Sequence, residues 1–262
     1  MQSGNMNQQR YSAWHLLEGK QLQFSKEYHE KPRVEIMPLL PSSATRILDI
    51  GCGTGVTSLM LEERYPGAWI FGVEVQPEAA AIARRRLRDV SNHDLQSSPF
   101  PSAFLPPGEI DLVLMLDVLE HMYHPWRALQ NLRSVLSDHS SLIISIPNAR
   151  CLAFLDTIAG GSFEYAPNGL FDVTHIRFFT LDNIKSMLDE TGYELVDWMP
   201  IEYPVSLMPE IVSRSWQHVE TRNLMIKHGK VDGFNELFAG QWLLRARPKL
   251  GETPRQQVLA SA

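Results

Sequence analysis

The residues with the clearest chemical potential are three glycines, at positions 51, 53 and 55, that follow an apolar run containing Asp49. Glycine has no Cβ, so the chain can turn sharply there and a ligand can lie against the backbone. A helix that begins after this turn would direct free N–H groups at an anionic part of the ligand. The Asp49 carboxylate could hold an ammonium group, directly or through water. The pattern therefore favours a ligand that carries both an amine and a carboxylate.

The spacing of the glycines argues against a dinucleotide. The dinucleotide fingerprint Gly-x-Gly-x-x-Gly needs its third glycine at position 56, where this chain has Val56, and Gly55 comes one residue early. Asp49 would also meet a pyrophosphate with like charge. The stretch instead resembles the first motif of the class I S-adenosylmethionine-dependent methyltransferases. An ordinary strand, turn and helix, with glycines needed only for packing, is the alternative interpretation.

A second acid, Glu74, ends a β-rich run about twenty residues after the glycine turn. In α/β nucleotide folds, an acid at the end of the second strand accepts hydrogen bonds from the ribose hydroxyls at about this spacing. We therefore expect Glu74 to bind ribose and Val75 to line the same site. A solvated acid that caps the following helix is the simpler alternative. Since Cys52 lies between the glycines, we also expect it at the cofactor.

The resemblance assigns two further positions to the cofactor site. His93-Asp94-Leu95 ends the expected third strand, where relatives place an acid that accepts the adenine amino group, so Asp94 and Leu95 are expected at the adenine. An aspartate that stabilises its own turn is the alternative. Asp117, directly after the fourth strand, begins a sequence that resembles the Asp-Val-Leu-Glu-His signature of a broad subgroup, including the O-methyltransferases of ubiquinone biosynthesis. The resemblance covers about residues 47–192.

Two histidines are candidates for the chemistry that such a family performs. The sulfonium of S-adenosylmethionine makes its methyl group electrophilic, so a hydroxyl nucleophile needs alignment and a group that removes its proton. Histidine titrates near neutral pH and suits that role. His121 ends the signature above, and His175 lies in an element that resembles the Thr-His-x-x-x-Phe motif of quinone- and sugar-modifying relatives. Structural packing of both rings is the alternative.

A divalent metal is possible but not expected. Relatives in the quinone pathway have a Glu-x-x-Glu-His sequence that can hold a metal against a catechol. The corresponding residues here are Asp117, Glu120 and His121, and the shorter arm of Asp117 weakens the analogy. We therefore expect S-adenosylmethionine as the cofactor and no metal ligands.

The elements that must position these residues alternate between strand and helix, which indicates a doubly wound α/β fold. The resemblance implies a mostly parallel, Rossmann-like sheet of seven strands in the order 3-2-1-4-5-7-6, with the seventh antiparallel. The expected strands are 45–50, 69–74, 89–95, 110–116, 141–147, 193–198 and 241–247, and the expected helices include 56–64, 77–89, 125–136 and 180–192.

The expected domain organisation has three parts. Residues 1–40 form a helical N-terminal cap, residues 41–250 form the methyltransferase domain with a helical insertion at 206–237, and residues 251–262 form a flexible tail. The cap and the insertion are the natural lid over an acceptor. Their aromatic residues, which core packing explains equally well, are Trp14, His15, Tyr28, Tyr203 and Trp216.

The composition of the chain argues against some classes of binding partner. At 262 residues and 44% hydrophobic, the chain can bury a substantial core, and its net charge of −6 argues against a broad nucleic-acid-binding surface. It has no run of eighteen apolar residues and no signal-peptide core, so no transmembrane segment is expected. Two cysteines suit a reducing cytoplasm. The sequence leaves a homodimer open.

The sequence therefore predicts a methyltransferase that methylates an oxygen of a small-molecule or sugar acceptor. Two alternatives stay open: methylation of a small amine, and a non-catalytic scaffold or sensor that binds S-adenosylmethionine. The early third glycine disfavours a nicotinamide oxidoreductase.

Overall fold

The computed structural model describes residues 30–96, 108–215, 217–227 and 235–250. Most of the expected N-terminal cap, with Trp14, His15 and Tyr28, lies outside the described residues, as do Trp216 and the tail after 250. The described end of the cap region contains a short 3-10 helix, Val34–Leu39, whose Ile36 and Leu39 are buried.

A seven-stranded sheet forms the centre of the molecule. Its strands are β1 (Arg46–Ile50), β2 (Trp69–Glu74), β3 (Asp89–Asn92), β4 (Ile110–Leu116), β5 (Leu136–Pro147), β6 (Tyr193–Glu202) and β10 (Ala239–Pro248). Their order in the sheet is β3-β2-β1-β4-β5-β10-β6, and β10 runs antiparallel to both of its neighbours while the pairs from β3 to β5 are parallel. With β10 as the seventh strand, this arrangement confirms the predicted order.

Helices cover the sheet, and successive strand residues face two separate cores. Along β1, Ile47 packs into one core and Leu48 into the other, as the two-residue period of a strand requires. The same alternation places Leu112 and Val113 of β4 on opposite faces. The described helices are α1 (Val56–Arg64), α2 (Pro77–Ala83), α3 (Pro125–Leu132), α4 (Leu152–Ala159) and α5 (Leu181–Glu190).

Several predicted boundaries differ from the structure. The third strand stops at Asn92 rather than Leu95, and α2 and α3 end earlier than expected, at Ala83 and Leu132. The fifth strand begins five residues early, because Leu136 pairs with Ile110 before a register shift. Thr180 begins α5 as predicted, with a reciprocal capping box between its side chain and Asn183.

The prediction that the insertion at 206–237 is helical is wrong. Its described part forms a separate antiparallel sheet of β7 (Ile211–Ser215), β8 (His218–Thr221) and β9 (Met225–Lys227). Residues branched at Cβ explain the difference, since they are stiff in a helix and pack well on a pleated surface. Val219 and Thr221 are buried and alternate with less buried neighbours, which is the period of a strand. Thr221 anchors this sheet to α4 through a hydrogen bond to Asp156.

Among the described residues, none of the helices combines the length and the apolar character needed to cross a bilayer.

Cys52 and Cys151 are both buried free thiols. Burial raises the pKa of each thiol, so neither has the lowered pKa of a reactive cysteine.

Candidate active site

The glycine turn follows β1 directly and is held against the end of β2. The N–H groups of Gly51 and Cys52 both donate to the carbonyl oxygen of Val73, at 2.8 and 3.1 Å. The three glycines have φ values of 73°, 55° and 82°, in the region that glycine alone adopts readily. A Cβ on Gly51 would also lie 2.7 Å from Val118 Cγ2, so a side chain there would force the Val118 side chain to shift. The turn requires glycine for conformation and for space.

Asp49 lies buried beneath this turn, with only 2% of its surface exposed. Ser58, in the first turns of α1, donates a hydrogen bond of 2.6 Å to its carboxylate. Burial raises the Asp49 pKa to about 7, the Ser58 hydrogen bond opposes the rise, and the nearby charge of Glu74 adds to it. A buried acid without a cation is costly, so this position is suited to an ammonium group supplied by a ligand.

Glu74 ends β2 and turns back toward the glycines. One carboxylate oxygen accepts a hydrogen bond of 2.8 Å from the N–H of Gly53, and the other accepts one of 2.8 Å from the N–H of Gln76. The residue is 5% exposed. Each carboxylate oxygen has a second lone-pair direction, so the same group can accept hydrogen bonds from two hydroxyls while it holds the turn.

Four other expected cofactor residues, Cys52, Val75, Asp94 and Leu95, differ in the exposure of their side chains. The Cys52 side chain packs against Gly72, where an added Cβ would lie 2.8 Å from its sulfur, so only its backbone faces the turn. Val75 is exposed at the rim. Leu95 packs against the hydrophobic core, and Asp94 accepts the N–H of Gln96 at 2.9 Å, which is the self-stabilised turn that the sequence left as an alternative.

Asp117 is held by an unexpected partner, Arg33. The guanidinium of Arg33 donates to the Asp117 carboxylate at 2.6 Å, and Ser145 and Gln241 donate to the other oxygen at 2.6 and 2.9 Å. Glu35 forms an ion pair with the same guanidinium. Asp117 has φ of 56°, which is uncommon for a residue other than glycine and persists only where surroundings hold it. No motif in the sequence marks Arg33, which lies 84 residues before Asp117.

The turn after β4 binds the loop that carries the second histidine. The carbonyl oxygen of Glu120 accepts the N–H groups of both Ile176 and Arg177 at 3.0 Å. Arg177 itself donates to the carbonyl of Tyr123 at 2.6 Å rather than pairing with Asp172. These contacts join residues far apart in the sequence at the carboxyl ends of β4 and β5, the edge of the sheet at which ligands bind in open α/β folds.

His121 and His175 therefore meet at one place. Their rings are 4.8 Å apart between centroids, in an edge-to-face arrangement at 61°. His175 is 9% exposed. Burial lowers the pKa of His175 and the proximity of His121 lowers it further, while Asp172 and Asp117 oppose the change. The sequence identified both histidines, and the structure brings them together.

Glu120 completes a group that could be considered for a metal. A carboxylate oxygen of Glu120 and one ring nitrogen from each histidine lie within 4.8 Å of one another. Ligands on one tetrahedral zinc ion lie only about 3.3 Å apart, so this group would have to contract. Burial raises the Glu120 pKa well above its ordinary value, and neither of its oxygens has a hydrogen-bond partner among the described residues. The Asp117, Glu120 and His121 set is not assembled, because Asp117 is bound by Arg33.

An aromatic cavity opens beside the histidines. It is small, with room for about one water molecule, is partly open to solvent, and is lined by His175, Arg177, Phe154, Phe178 and the end of β5. Phe163 packs edge-to-face against Phe154 and Phe178, and it and Phe178 are 41% and 47% exposed. An apolar surface therefore leads from solvent to the histidine pair.

Comparison with known proteins gives a consistent result. A family model described as a methyltransferase domain matches residues 20–197. A malonyl-[acyl-carrier protein] O-methyltransferase from Geobacter sulfurreducens is 31% identical over 166 residues, which cover 60% of each chain. A ubiquinone biosynthesis O-methyltransferase from Aeromonas salmonicida is 28% identical over 162 residues, covering 60% of this chain and 66% of that protein. The chain thus spans less than two thirds of the length of these two relatives.

Solved structures share the fold. A SAM-dependent methyltransferase from Archaeoglobus fulgidus superposes with a TM-score of 0.58 at 18% identity, covering 89% of this chain and 99% of that one. An S-adenosylmethionine-dependent methyltransferase from Mesorhizobium loti gives 0.53 at 17% identity, covering 81% and 95%. The sheet order, the family match and these folds agree with the resemblance stated from the motifs. The chain belongs to the methyltransferase-domain family, whose cofactor is S-adenosylmethionine.

Proposed function

We propose that this chain transfers the methyl group of S-adenosylmethionine to a hydroxyl oxygen of a small-molecule or sugar acceptor. The observation that supports it most is the position of the His121–His175 pair, at the same sheet edge as the acids Asp49 and Glu74. Two relatives whose names specify O-methyltransferases support oxygen as the atom methylated. When bound, the cofactor supplies a methyl group on a positively charged sulfur.

The residues present fit that cofactor. Asp49 would offer a buried carboxylate to the ammonium group of the cofactor's amino-acid part. The first N–H groups of α1 would bind the carboxylate group of that same part. Glu74 offers its free lone pairs to the ribose hydroxyls. Asp94 and Leu95 stay our proposal for the adenine end. The turn needs Gly51 because its φ is positive and an added Cβ would clash with the Val118 side chain.

The histidine pair supplies what a hydroxyl acceptor needs. A neutral alcohol or phenol becomes a better nucleophile as its proton leaves, and an imidazole can accept that proton at neutral pH. The aromatic side chains beside His175 would offer an acceptor an apolar surface on which to align. Alignment of this kind is worth about 7–11 kcal/mol of the barrier in favourable cases.

Two measurements test this function. Calorimetry should show that S-adenosylmethionine and S-adenosylhomocysteine bind with one-to-one stoichiometry and that NADH does not. Incubation with S-adenosylmethionine labelled with tritium in the methyl group should then label members of a panel of phenols, hydroxy acids and hexoses. Binding without transfer by a folded protein would favour the scaffold, and transfer confined to amines would favour N-methylation.

Glu74→Ala is expected to weaken binding of S-adenosylhomocysteine by about 1–3 kcal/mol, roughly 5- to 150-fold, because two ribose hydroxyls lose a charged acceptor. Calorimetry measures this change. Glu78→Ala, at an exposed acid on α2, is the matched control and should leave the affinity unchanged. Since Glu74 also holds the glycine turn, the variant's melting temperature must be measured beside its affinity. Unchanged affinity in a folded Glu74→Ala protein would remove Glu74 from the site.

A further inference from the structure

The hydrogen bonds around His121 determine which ring nitrogen carries the proton. Nδ1 of His121 lies 3.2 Å from the carbonyl oxygen of Thr174 and 3.0 Å from the Thr174 hydroxyl oxygen. A carbonyl oxygen can only accept, so the first contact requires a proton on Nδ1.

The contact with the Thr174 hydroxyl also requires a proton on Nδ1 of His121. Its oxygen lies 2.6 Å from the carboxylate of Asp172, which accepts only, so the hydroxyl proton points to Asp172. The N–H of Thr174 donates to the same carboxylate oxygen at 2.8 Å, which fixes the arrangement. The hydroxyl therefore presents a lone pair to His121, and both contacts place the proton on Nδ1. In the neutral ring, Nε2 is then the nitrogen without a proton.

The two histidines consequently differ in role. The ring of His121 packs against His175, and His175 lines the aromatic cavity. His175 is the more buried ring, and burial favours its neutral form. A positive charge that forms on His121 would be stabilised through Thr174 by the Asp172 carboxylate.

We propose that Nε2 of His121 is the group that takes the proton from the acceptor hydroxyl, and that Thr174 and Asp172 are positioning residues that hold its ring and tautomer. This inference rests on the proposed function. The acceptor oxygen forms a bond to the methyl carbon as the carbon–sulfur bond breaks, and the electron pair of that bond stays on sulfur. The hydroxyl proton moves to Nε2, and the imidazolium later returns it to solvent.

The first test is a measurement of the tautomer of His121, because this measurement needs neither an acceptor nor turnover. In protein labelled with ¹⁵N-histidine and saturated with S-adenosylhomocysteine, long-range ¹⁵N–¹H spectra should show His121 protonated at Nδ1 and bare at Nε2. The His121→Ala variant identifies the signals. A proton on Nε2 with bare Nδ1 would overturn the inference, whatever the acceptor is.

Kinetics on an acceptor from the phenol, hydroxy acid and hexose panel form the second test. His121→Ala should lower kcat by roughly 100-fold or more and abolish the acid limb of the pH profile, with S-adenosylhomocysteine affinity within about 2-fold of wild type. Thr174→Val should lower kcat by about 10-fold and move the acid limb to lower pH, since the imidazolium loses its link to Asp172. Thr174→Ser should restore both.

Other charged groups around the ring must be considered in that profile. Glu120 lies on the same turn, Asp117 precedes it, and His175 and Asp172 face the ring from the neighbouring loop. Asp172→Asn should therefore move the limb in the same direction as Thr174→Val. Thr157→Val, which removes a partly buried hydroxyl on α4 away from this loop, is the matched control and should leave kcat and the limb unchanged.

The outcomes separate this inference from the proposed function. If wild type transfers methyl groups and His121→Ala transfers them equally fast, the inference is wrong and the proposed function stands. If EDTA abolishes transfer and zinc or magnesium ions restore it, Nε2 of His121 is a metal ligand and not the proton acceptor. If wild type does not bind S-adenosylmethionine, the proposed function itself fails, and the inference falls with it.

Discussion

Replacement of Asp49 by asparagine is expected to weaken binding of S-adenosylmethionine by about 3 kcal/mol, roughly 100-fold, because a ligand ammonium loses its buried carboxylate. The substitution preserves shape, and the amide oxygen can still accept the hydrogen bond from Ser58. Calorimetry on the cofactor and its demethylated product measures the loss. Equal affinities for Asp49→Asn and wild type would show that the amino-acid part of the cofactor binds elsewhere.

The same substitution is expected to stabilise the protein without cofactor. The Asp49 pKa rises from 3.8 to about 7 on folding, mainly through burial, so between these values the native state binds more protons than the unfolded state. Stability must therefore fall as pH rises from about 4 to about 7, by as much as about 4 kcal/mol for this group. Asparagine cannot ionise, and its variant should lose that part of the pH dependence.

Urea unfolding at several pH values checks this prediction. The difference in unfolding free energy between Asp49→Asn and wild type should grow from pH 4 to pH 7 and then stay constant. Cofactor affinity of wild type should rise over the same pH interval, since the bound ammonium requires an ionised Asp49. Asp138→Asn, at an exposed position on β5, is the control and should change neither quantity. A pH-independent difference would mean that Asp49 is not the buried titrating group described above.

Arg33→Met is expected to destabilise the protein by about 2 kcal/mol, because removal of one member of a partly buried pair leaves the Asp117 carboxylate without its cation. Methionine keeps an apolar stem and so isolates the loss of charge. Arg33 and Asp117 have side-chain exposures of 22% and 14%, which makes screening by solvent modest. The turn that carries Glu120 and His121 follows Asp117, so cofactor affinity should fall as well.

A double-mutant cycle separates this pair from its surroundings. The Arg33→Met and Asp117→Asn changes together should cost clearly less than the sum of the single changes, because each alone already breaks the contact. Arg46→Met provides the comparison, since Arg46 pairs with Glu109 at the surface with exposures of 44% and 42%. That substitution should cost well under 1 kcal/mol. Additive effects at Arg33 and Asp117 would show that their contact contributes little.

Periodicity and local motifs explain why much of the fold could be predicted. Buried parallel strands such as β4 appear as continuous apolar runs, and the glycine turn has constraints that are purely local. The order of the strands came from the family resemblance, which the structure confirms. The prediction for residues 206–237 was wrong because it assigned a helix to a region whose β-branched residues form a sheet.

Long-range contacts explain what the sequence could not show. Arg33 lies before the first strand, and its pairing with Asp117 across the sheet edge has no local pattern. The link from Asp172 through Thr174 to His121 likewise depends on two loops that meet only in the folded chain. The sequence could identify both histidines by their motifs, but the tautomer of His121 depends on a carbonyl 53 residues away.

A crystal structure with S-adenosylhomocysteine tests the central claim most directly. We predict that the amino group of the product lies at Asp49, that its ribose hydroxyls bind Glu74, and that its sulfur faces the His121–His175 pair with space for a methyl group between them. A product bound away from the glycine turn, or a turn that prefers a pyrophosphate ligand, would contradict the assignment of the site and the roles proposed for both histidines.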